Sequence, residues 1–226
     1  MKMLKSLLVA LVLVVACTNV AVAQNAPGEF LVIYNIQVKS GANVQFEEYI
    51  KKIKEAAEKT GAPQHWGASQ LAFGGPGNNY VIALQFDKWG EMDGWEAVPQ
   101  ILEEAYGEED AAKILRSGGM AIESSETTIS RLMEDLSYNL KAMAPAPMIR
   151  VRVSEIKRDM QQHYRVFLAK ANEAAEKAGD QRTVIRRLST MGQTAVYTSA
   201  TPFEKWSEWD DRGGFWETME KAHGPT

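Results

Sequence analysis

Two stretches of the chain, EAAEKTGAPQHWGASQLAFGGPGNNYVIALQFDKWGEMD at residues 55–93 and EAAEKAGDQRTVIRRLSTMGQTAVYTSATPFEKWSEWD at residues 173–210, share two short motifs in the same order. The motif EAAEK-x-G recurs with an offset of 118 residues, and the motif F-x-K-W-x-E-x-D recurs with an offset of 117 residues. Two matches in register, with the same predicted elements between them, indicate an internal duplication of about 117 residues. A period of this length is that of a domain rather than of a solenoid repeat.

The first copy of the pattern is typical of a βαββαβ unit. A run rich in β-branched and aromatic residues predicts the first strand, and apolar residues at helical spacing, followed by a glycine, predict the next helix. Two further strands flank a glycine-rich hairpin loop, and an irregular amphipathic region leads to a fourth strand. The predicted elements are a strand at 30–38, a helix at 42–60, strands at 65–73 and 80–86, a helical region at 89–116 and a strand at 127–136. This unit, residues 29–138, has the element order of a ferredoxin-like fold.

A Pro- and Ala-rich segment, residues 139–147, is typical of a linker, and the pattern begins again after it. The second unit, residues 148–226, contains a predicted strand, a long helix, a pair of strands and a final helical segment. With the 117-residue offset, residues 110–137 of the first unit have no counterpart in the second. We therefore expect the second unit to lack its last helical segment and its fourth strand. A sheet without that strand keeps an open edge, which predicts pairing with another chain as a homo-oligomer.

Each unit is expected to carry helices on one face of its sheet, so the other apolar face needs a cover. The two units provide this cover for each other if their sheets pack face to face. The sequence therefore predicts an α+β protein in which two ferredoxin-like units form a pseudo-dimeric α/β barrel around an interior cavity.

The duplicated pattern, with its F-x-K-W-x-E-x-D turn at residues 86–93 and 203–210, resembles the dimeric α/β-barrel superfamily, in particular its antibiotic-biosynthesis-monooxygenase-like members. The resemblance covers nearly the whole chain after residue 23 and implies a ferredoxin-like fold with both barrel units in one chain. That superfamily includes cofactor-free oxygenases, isomerases, heme enzymes and proteins of no known activity. The resemblance therefore implies a fold and leaves the chemistry open.

Residues 1–23 differ in composition from the rest of the chain. Lys2 and Lys5 precede an apolar run of about ten residues, and small residues ending in AVA follow it. The run is too short for a membrane-spanning helix, which needs about 20 residues, so it predicts a signal peptide and export to the periplasm or the medium. An alternative is lipidation at Cys17, which ends a lipobox-like VVAC segment and would anchor the protein to a membrane.

Composition excludes several classes of function. The chain has 226 residues, of which 45% are hydrophobic and 24% charged, as is typical of a globular protein. Its net charge of −4 becomes −6 without the two lysines of the leader, and so acidic a chain is not expected to bind nucleic acid. Because Cys17 is the single cysteine, a chain cleaved after residue 23 has no thiol for catalysis, disulfide formation or zinc binding.

The three histidines, His65, His163 and His223, have no second histidine or carboxylate nearby at metal-ligand spacing. We therefore expect no metal site and no cofactor. His65 begins a predicted strand, from which it can point into a barrel as a base or as a ligand to heme iron, so heme is kept as an alternative cofactor. The other interpretation is a partly exposed histidine beside a packed tryptophan. Trp89 and Trp206, at matched positions of the two units, are expected in the core.

The alternation of side chains in the first strand of each unit predicts a ligand site. In register, Val32, Tyr34 and Ile36 match Arg150, Arg152 and Ser154, while Leu31 and Ile33 match Ile149 and Val151. If the shared apolar set faces the helices, the other set lines the barrel interior. One wall is then apolar and aromatic and the opposite wall cationic, with Arg186 or Arg187 added from the next strand, which suits an amphipathic anion such as an aromatic carboxylate. The alternative is that these arginines stay solvated or pair with nearby carboxylates.

These features together predict an exported α/β-barrel protein that binds a small, partly apolar molecule. The alternative is a cofactor-independent monooxygenase-like or isomerase-like enzyme acting on small aromatic substrates, for which His65, Tyr34 and Arg152 are the residues to test. A partner-binding or structural role in the periplasm is a third interpretation. The sequence does not decide whether the protein is an enzyme.

Overall fold

The structure is a computed structural model that describes residues 27–62, 66–72, 77–93, 97–192, 195–210 and 215–224. The predicted signal peptide, Cys17 and His65 lie outside the described residues, and so do the predictions made for them. No helix in the described ranges combines the length and the apolar character that a membrane span requires.

The described elements follow the predicted order. The first half contains β1 (Phe30–Val38), α1 (Asn43–Thr60), β2 (Trp66–Gln70), β3 (Asn79–Phe86), α2 (Val98–Tyr106), α3 (Glu108–Ala121) and β4 (Ile122–Leu132). The second half contains β5 (Met148–Glu155), α4 (Gln161–Lys177), β6 (Ile185–Met191), β7 (Val196–Phe203) and α5 (Phe215–His223). Helix α3 is longer than predicted, since it continues through Gly118 and Gly119 to Ala121. The fourth strand follows it directly at Ile122, without the predicted loop, and so begins earlier than predicted.

The seven described strands form one antiparallel sheet in the order β2-β3-β1-β4-β6-β7-β5. The α+β class is therefore confirmed. The two halves join edge to edge through β4 and β6, where Arg131 lies opposite Leu188. The prediction that the bare sheet faces bury each other is wrong for β5, because Ile149, Val151 and Val153 are 57%, 55% and 61% exposed.

The helices of both halves lie on the same face of this sheet. Ile36 and Val38 of β1 pack against Phe46 of α1 and Ala121 of α3. Residues directly opposite in an antiparallel pair share a face, and Arg131 is opposite both Phe30 and Leu188. Leu188 in turn packs with residues of α4. The opposite face of the sheet carries no helix among the described residues, and we call it the bare face.

The two repeated motifs have the same local structure in each half. The glycine of EAAEK-x-G follows a helix with a left-handed backbone, at φ 70° for Gly61 and 69° for Gly179, a conformation that side chains disfavour. In the second motif the glutamate closes a 3-10 turn: Glu91 accepts a hydrogen bond from the Asp87 amide at 2.8 Å, and Glu208 accepts one from the Glu204 amide at 2.9 Å.

The tryptophans of the second motif are not core residues, contrary to prediction. Trp89 is 42% exposed and Trp206 is 57% exposed. Each packs one side of its ring on a phenylalanine, Phe30 at a centroid distance of 4.3 Å and Phe203 at 5.1 Å. Each tryptophan begins the 3-10 turn that follows β3 or β7, so it lies beyond the end of a strand, where solvent reaches it.

Buried side chains are concentrated in the first half. Clusters of buried residues join α1 to α2 and α3, join β1 to α1 and α3, and follow β1 and β3. A fourth cluster joins Met133 and Leu136, just after β4, to Leu168 of α4 and Tyr197 of β7. This cluster fixes the second half to the first, so the junction of the halves is a packed region.

Candidate functional site

A cleft of about 960 Å³ lies on the surface where β4 meets β6, and we call it the junction cleft. It is lined by Pro27, Glu29, Arg131, Leu132, Met133, Glu134, Asp135, Leu140, Lys141, Arg165, Leu188 and Thr190. These residues come from the segment that leads into β1, the end of β4, the segment after it, α4 and β6. Both halves therefore contribute walls, and the cleft depends on the pairing of β4 with β6.

The junction cleft combines apolar walls with charged groups of both signs. Arg131 Nη2 forms an ion pair with Glu29 Oε1 at 2.7 Å. Arg165 Nη2 forms another with Asp135 Oδ2 at 2.8 Å. Their side chains are between about a third and two thirds exposed, so each pair adds at most about 1 kcal/mol to stability. The Lys141 ammonium group forms no ion pair with a carboxylate of the described residues.

Two consecutive arginines of β6 hold the junction together from opposite faces of the sheet. Arg187 donates hydrogen bonds to the carbonyl of Gly28 at 2.7 Å and to that of Glu29 at 3.2 Å, which fixes the segment that leads into β1. Arg186 donates to the Leu136 carbonyl and to the Asn172 side chain of α4. Burial lowers the pKa of each guanidinium to about 10, which still leaves both charged at neutral pH.

Arg186 and Arg187 therefore do not form the predicted cationic wall. Both are more than nine-tenths buried, and Arg186 Nη1 and both Nη atoms of Arg187 donate to backbone carbonyls and an amide oxygen rather than pointing at a cavity. Arg186 Nε is buried without a hydrogen-bond partner among the described residues. A buried guanidinium with such acceptors is a structural element, because removing it leaves buried carbonyls without a donor. Arg187 also positions Glu29, one of the charged groups of the junction cleft.

The predicted facing of the first strands is also wrong. Val32 and Ile36 are buried on the face that carries the helices, and Tyr34 packs on the same side. Arg150 and Arg152 lie on that face too. They are opposite Thr201 and Ser199, which point to the same side of β7 as the buried Phe203 and Tyr197. The shared apolar set, which includes Ile149 and Val151, is the set on the bare face.

The structure does not bring the predicted ligand-binding residues together. Val32, Tyr34 and Ile36 are on β1, and Arg150 and Arg152 are on β5. Three strands separate β1 from β5, a distance of about 19 Å measured along the sheet. Arg150 instead lies over the ring of Trp209, with its guanidinium carbon 4.6 Å from the ring centroid.

Of the two candidate catalytic residues, the structure describes Tyr34 and leaves His65 undescribed. Tyr34 is half-buried between two core clusters, and burial raises the pKa of its hydroxyl. The described histidines, His163 and His223, are exposed on α4 and α5, outside the junction cleft. The described residues contain no group of three side chains suited to hold a metal ion.

Sequence reasoning missed the charged residues of the junction cleft. Arg131, Arg165 and Lys141 lie in a strand, a helix and a predicted linker, and none belongs to a motif. They come together through the pairing of β4 with β6, which is a contact between distant parts of the sequence. No local signal indicates that register.

Comparison with known proteins identifies a fold. No family model and no curated protein matches the chain. The chain is similar to a solved structure from Lactobacillus acidophilus NCFM, provisionally assigned as a monooxygenase, with a TM-score of 0.52 and 10% identity over 86% of this chain and 87% of that one. It is also similar to a protein provisionally assigned as a chlorite dismutase, with a TM-score of 0.51 and 11% identity over 87% of each chain. At these identities the likeness supports a ferredoxin-like α/β fold and nothing finer.

Proposed function

We propose that this protein binds a small organic acid with an apolar portion in the junction cleft. The observation that carries the proposal is a concavity of about 960 Å³ with both apolar and cationic walls. Ligand pockets typically enclose about 300–1,000 Å³, with mostly apolar walls and a few polar groups that orient the ligand. Leu132, Met133, Leu140 and Leu188 supply the apolar contact, and Lys141 supplies the nearest unpaired cation.

The cleft lining carries three cations and three carboxylates, and of these Lys141 and Glu134 form no ion pair with a described residue. In this proposal the three cations hold the carboxylate of the ligand. Lys141 has no carboxylate partner among the described residues, and its ammonium group can pair with a ligand carboxylate. Arg131 and Arg165 are held by exposed ion pairs, so a ligand carboxylate can replace Glu29 or Asp135 as their partner at little cost. Arginine offers a bidentate fork that suits a planar carboxylate.

The test is a binding titration with a panel of aromatic and aliphatic carboxylates, measured by calorimetry and by thermal shift. We expect binding of at least one acid, with an affinity that falls roughly tenfold in Lys141→Glu and in Arg165→Glu because each replacement turns an attraction into a repulsion. Lys51→Glu, an exposed change of the same charge on α1, is the matched control and should bind as the unaltered protein does. Equal affinity in all three variants would place any bound acid elsewhere.

A monooxygenase-like or isomerase-like activity on small aromatic substrates is the second candidate. It is supported by the likeness of fold to a structure provisionally assigned as a monooxygenase. Because burial raises the pKa of Tyr34, this residue keeps its proton at neutral pH and can donate a hydrogen bond but not act as a base. His65 is then the base to test. Oxygen uptake with hydroxylated aromatics that is lost in His65→Ala would support this activity, and no uptake with any of them would remove it.

Heme is a poor fit to the residues that the structure describes. His163 and His223 are outside the junction cleft, and His223 Nε2 lies 3.0 Å from the Lys170 carbonyl. Neither is placed to ligate an iron held in that cleft. We derive no chemistry through heme, and titration of hemin into the purified protein would show an absorption change if His65 supplies a site.

We further propose that the two halves, residues 29–138 and 148–226, are tandem ferredoxin-like units derived by duplication and related to an α/β barrel. The matched glycine caps and the matched 3-10 turns support this origin. We also propose that the protein is exported by the signal peptide at residues 1–23. Amino-terminal sequencing of the exported protein tests cleavage after residue 23, and labelling with a radioactive fatty acid tests the alternative of a lipid at Cys17.

A further inference from the structure

The strand β5 has one edge that no described strand covers. It is the last strand of the described sheet, and among the described residues it pairs with β7 alone, through all eight of its residues from Met148 to Glu155. The backbone amides and carbonyls on its other edge are therefore available to a further strand. The other terminal strand, β2, is shorter, with five residues.

Most side chains on both faces of β5 are also exposed. Ile149, Val151 and Val153 are more than half exposed on the bare face. Arg150 and Arg152 are exposed on the helix face, and neither forms an ion pair with a described carboxylate. An edge of this length with exposed β-branched residues and no proline is a template for pairing with another polypeptide.

A second copy of this strand is a poor occupant of the edge. In an antiparallel pair, opposite residues share a face, so arginines of one copy meet residues of the helix face of the other. The registers that overlap most of β5 place Arg150 opposite Arg152, or Arg152 opposite itself. Like charges directly opposite each other destabilise a strand pair. The same arginines attract a strand that carries carboxylates.

We propose that the open edge of β5 binds an extended segment of a partner polypeptide in which acidic residues alternate with β-branched apolar residues. Backbone hydrogen bonds to the edge supply affinity, and the alternating side chains supply specificity. Carboxylates fall beside Arg150 and Arg152, while apolar side chains extend the row formed by Ile149, Val151 and Val153. Trp209 holds the Arg150 guanidinium by a cation–π contact, which reduces the side-chain freedom lost on binding.

A synthetic peptide that alternates Glu and Val over the length of β5 is the probe, and binding to the purified full chain is followed by fluorescence anisotropy. We expect saturable binding that weakens as salt is added, because the ion pairs are near solvent. The double variant Arg150→Glu, Arg152→Glu should lower the affinity at least roughly tenfold, since two attractions become two repulsions. Arg116→Glu, an exposed change on α3, should bind the peptide unchanged.

Hydrogen exchange gives a readout of backbone pairing that charge alone does not move. We expect the peptide to slow exchange of those β5 amides that face the open edge, and to leave the amides of β1 unaffected. A version of the peptide methylated on alternate backbone nitrogens should not bind, because it cannot form the hydrogen bonds of a strand pair.

Three results would overturn the proposal. One is equal binding of a peptide that alternates Lys and Val. Another is the absence of added protection in β5 when the acidic peptide is present at saturating or millimolar concentration. The third is a dimer of the free protein in which the β5 amides are already protected, since a second copy is then the occupant. Far-ultraviolet circular dichroism of each variant confirms that it is folded before its affinity is compared.

Discussion

Strands β1 and β5 are the first strands of the two halves, but they differ in the number of neighbouring strands described for them and in the burial of their side chains. Strand β1 has a neighbour on each edge, β3 and β4, and its helix face is packed by α1 and α3. Strand β5 has one neighbour among the described strands, β7, and most of its side chains on both faces are exposed. Nothing in the described second half takes the places of α3 and β4.

The sequences of the two strands match these surroundings. The helix face of β1 carries Val32 and Ile36, which are 3% and 7% exposed, whereas the equivalent positions of β5 are Arg150 and Ser154. An apolar residue is stable where a helix excludes water, and a charged residue is stable where none does. The polar residues on the helix face of β5 are therefore stable in contact with water, and this face needs no helix over it.

Exchanging one residue between the two strands gives the largest expected effect. Val32→Arg should lower the free energy of unfolding by several kcal/mol, because it buries an unpaired charge in a packed cluster. The reverse change, Arg150→Val, should alter it by at most about 1 kcal/mol, through loss of the contact with Trp209. Denaturant unfolding measures both. Similar losses in the two variants would show that β5 is covered in solution as β1 is.

A smaller effect is expected from loosening the helix that covers β1. A Cβ atom added at Gly118 of α3 would lie 2.4 Å from the Tyr49 ring of α1, so Gly118→Ala should force the helices apart and cost about 1–3 kcal/mol. The adjacent Gly119 has open space around it, and Gly119→Ala should stabilise the protein by up to about 1 kcal/mol through helix propensity. Thermal unfolding of the two variants gives the comparison, and equal shifts would mean that α3 does not press on α1.

The same comparison explains what the sequence was able to predict. Strand β1 and helix α1 were located to within a residue because strand and helix propensities act locally. The sequence does not indicate which side chains of β1 point toward the helices. Leu31, Val32 and Ile33 are all apolar, so no polar residue marks the solvent side. In β5 the alternation is readable, but its apolar residues lie on the bare face and its arginines on the helix face, because no described helix excludes water from that side of the strand.

The candidate site was less predictable than the fold. The junction cleft and the buried Arg187 depend on the pairing of β4 with β6, and no motif encodes that pairing. Arginine in a strand is usually an exposed residue, so composition gave no sign that Arg186 and Arg187 are buried. Both features depend on the register between strands that are far apart in the sequence, and no local pattern of residues indicates that register.

The junction that joins the two halves is the next test of the comparison. Arg187→Met should keep much of the packing and remove the donors to Gly28 and Glu29, with a loss of about 1–3 kcal/mol. Arg158→Met, an exposed change next to α4, should alter stability by at most about 0.5 kcal/mol. If Arg187→Met is as stable as this control, β6 and β1 are held together by the sheet alone. A second unfolding transition in Arg187→Met would instead show halves that separate.

The smallest expected effect concerns Tyr80, a buried tyrosine of the first half that is hydrogen-bonded to a carboxylate. Tyr80 donates a hydrogen bond to Glu47 Oε1 at 2.8 Å, and burial, followed by this bond, raises the pKa of its hydroxyl to about 12. A folded pKa raised above the usual value of about 10 adds stability that is complete below pH 10 and is lost as the pH rises through about 12. Tyr80→Phe should therefore be less stable than the unaltered protein by about 0.5–1.5 kcal/mol at neutral pH, and the difference should shrink in strong alkali. Tyrosinate absorbance checks the assignment, since Tyr80→Phe should lack one late-titrating group. If the titration curve is unchanged, the Tyr80 hydroxyl is exposed to water, as the open edge of β5 is.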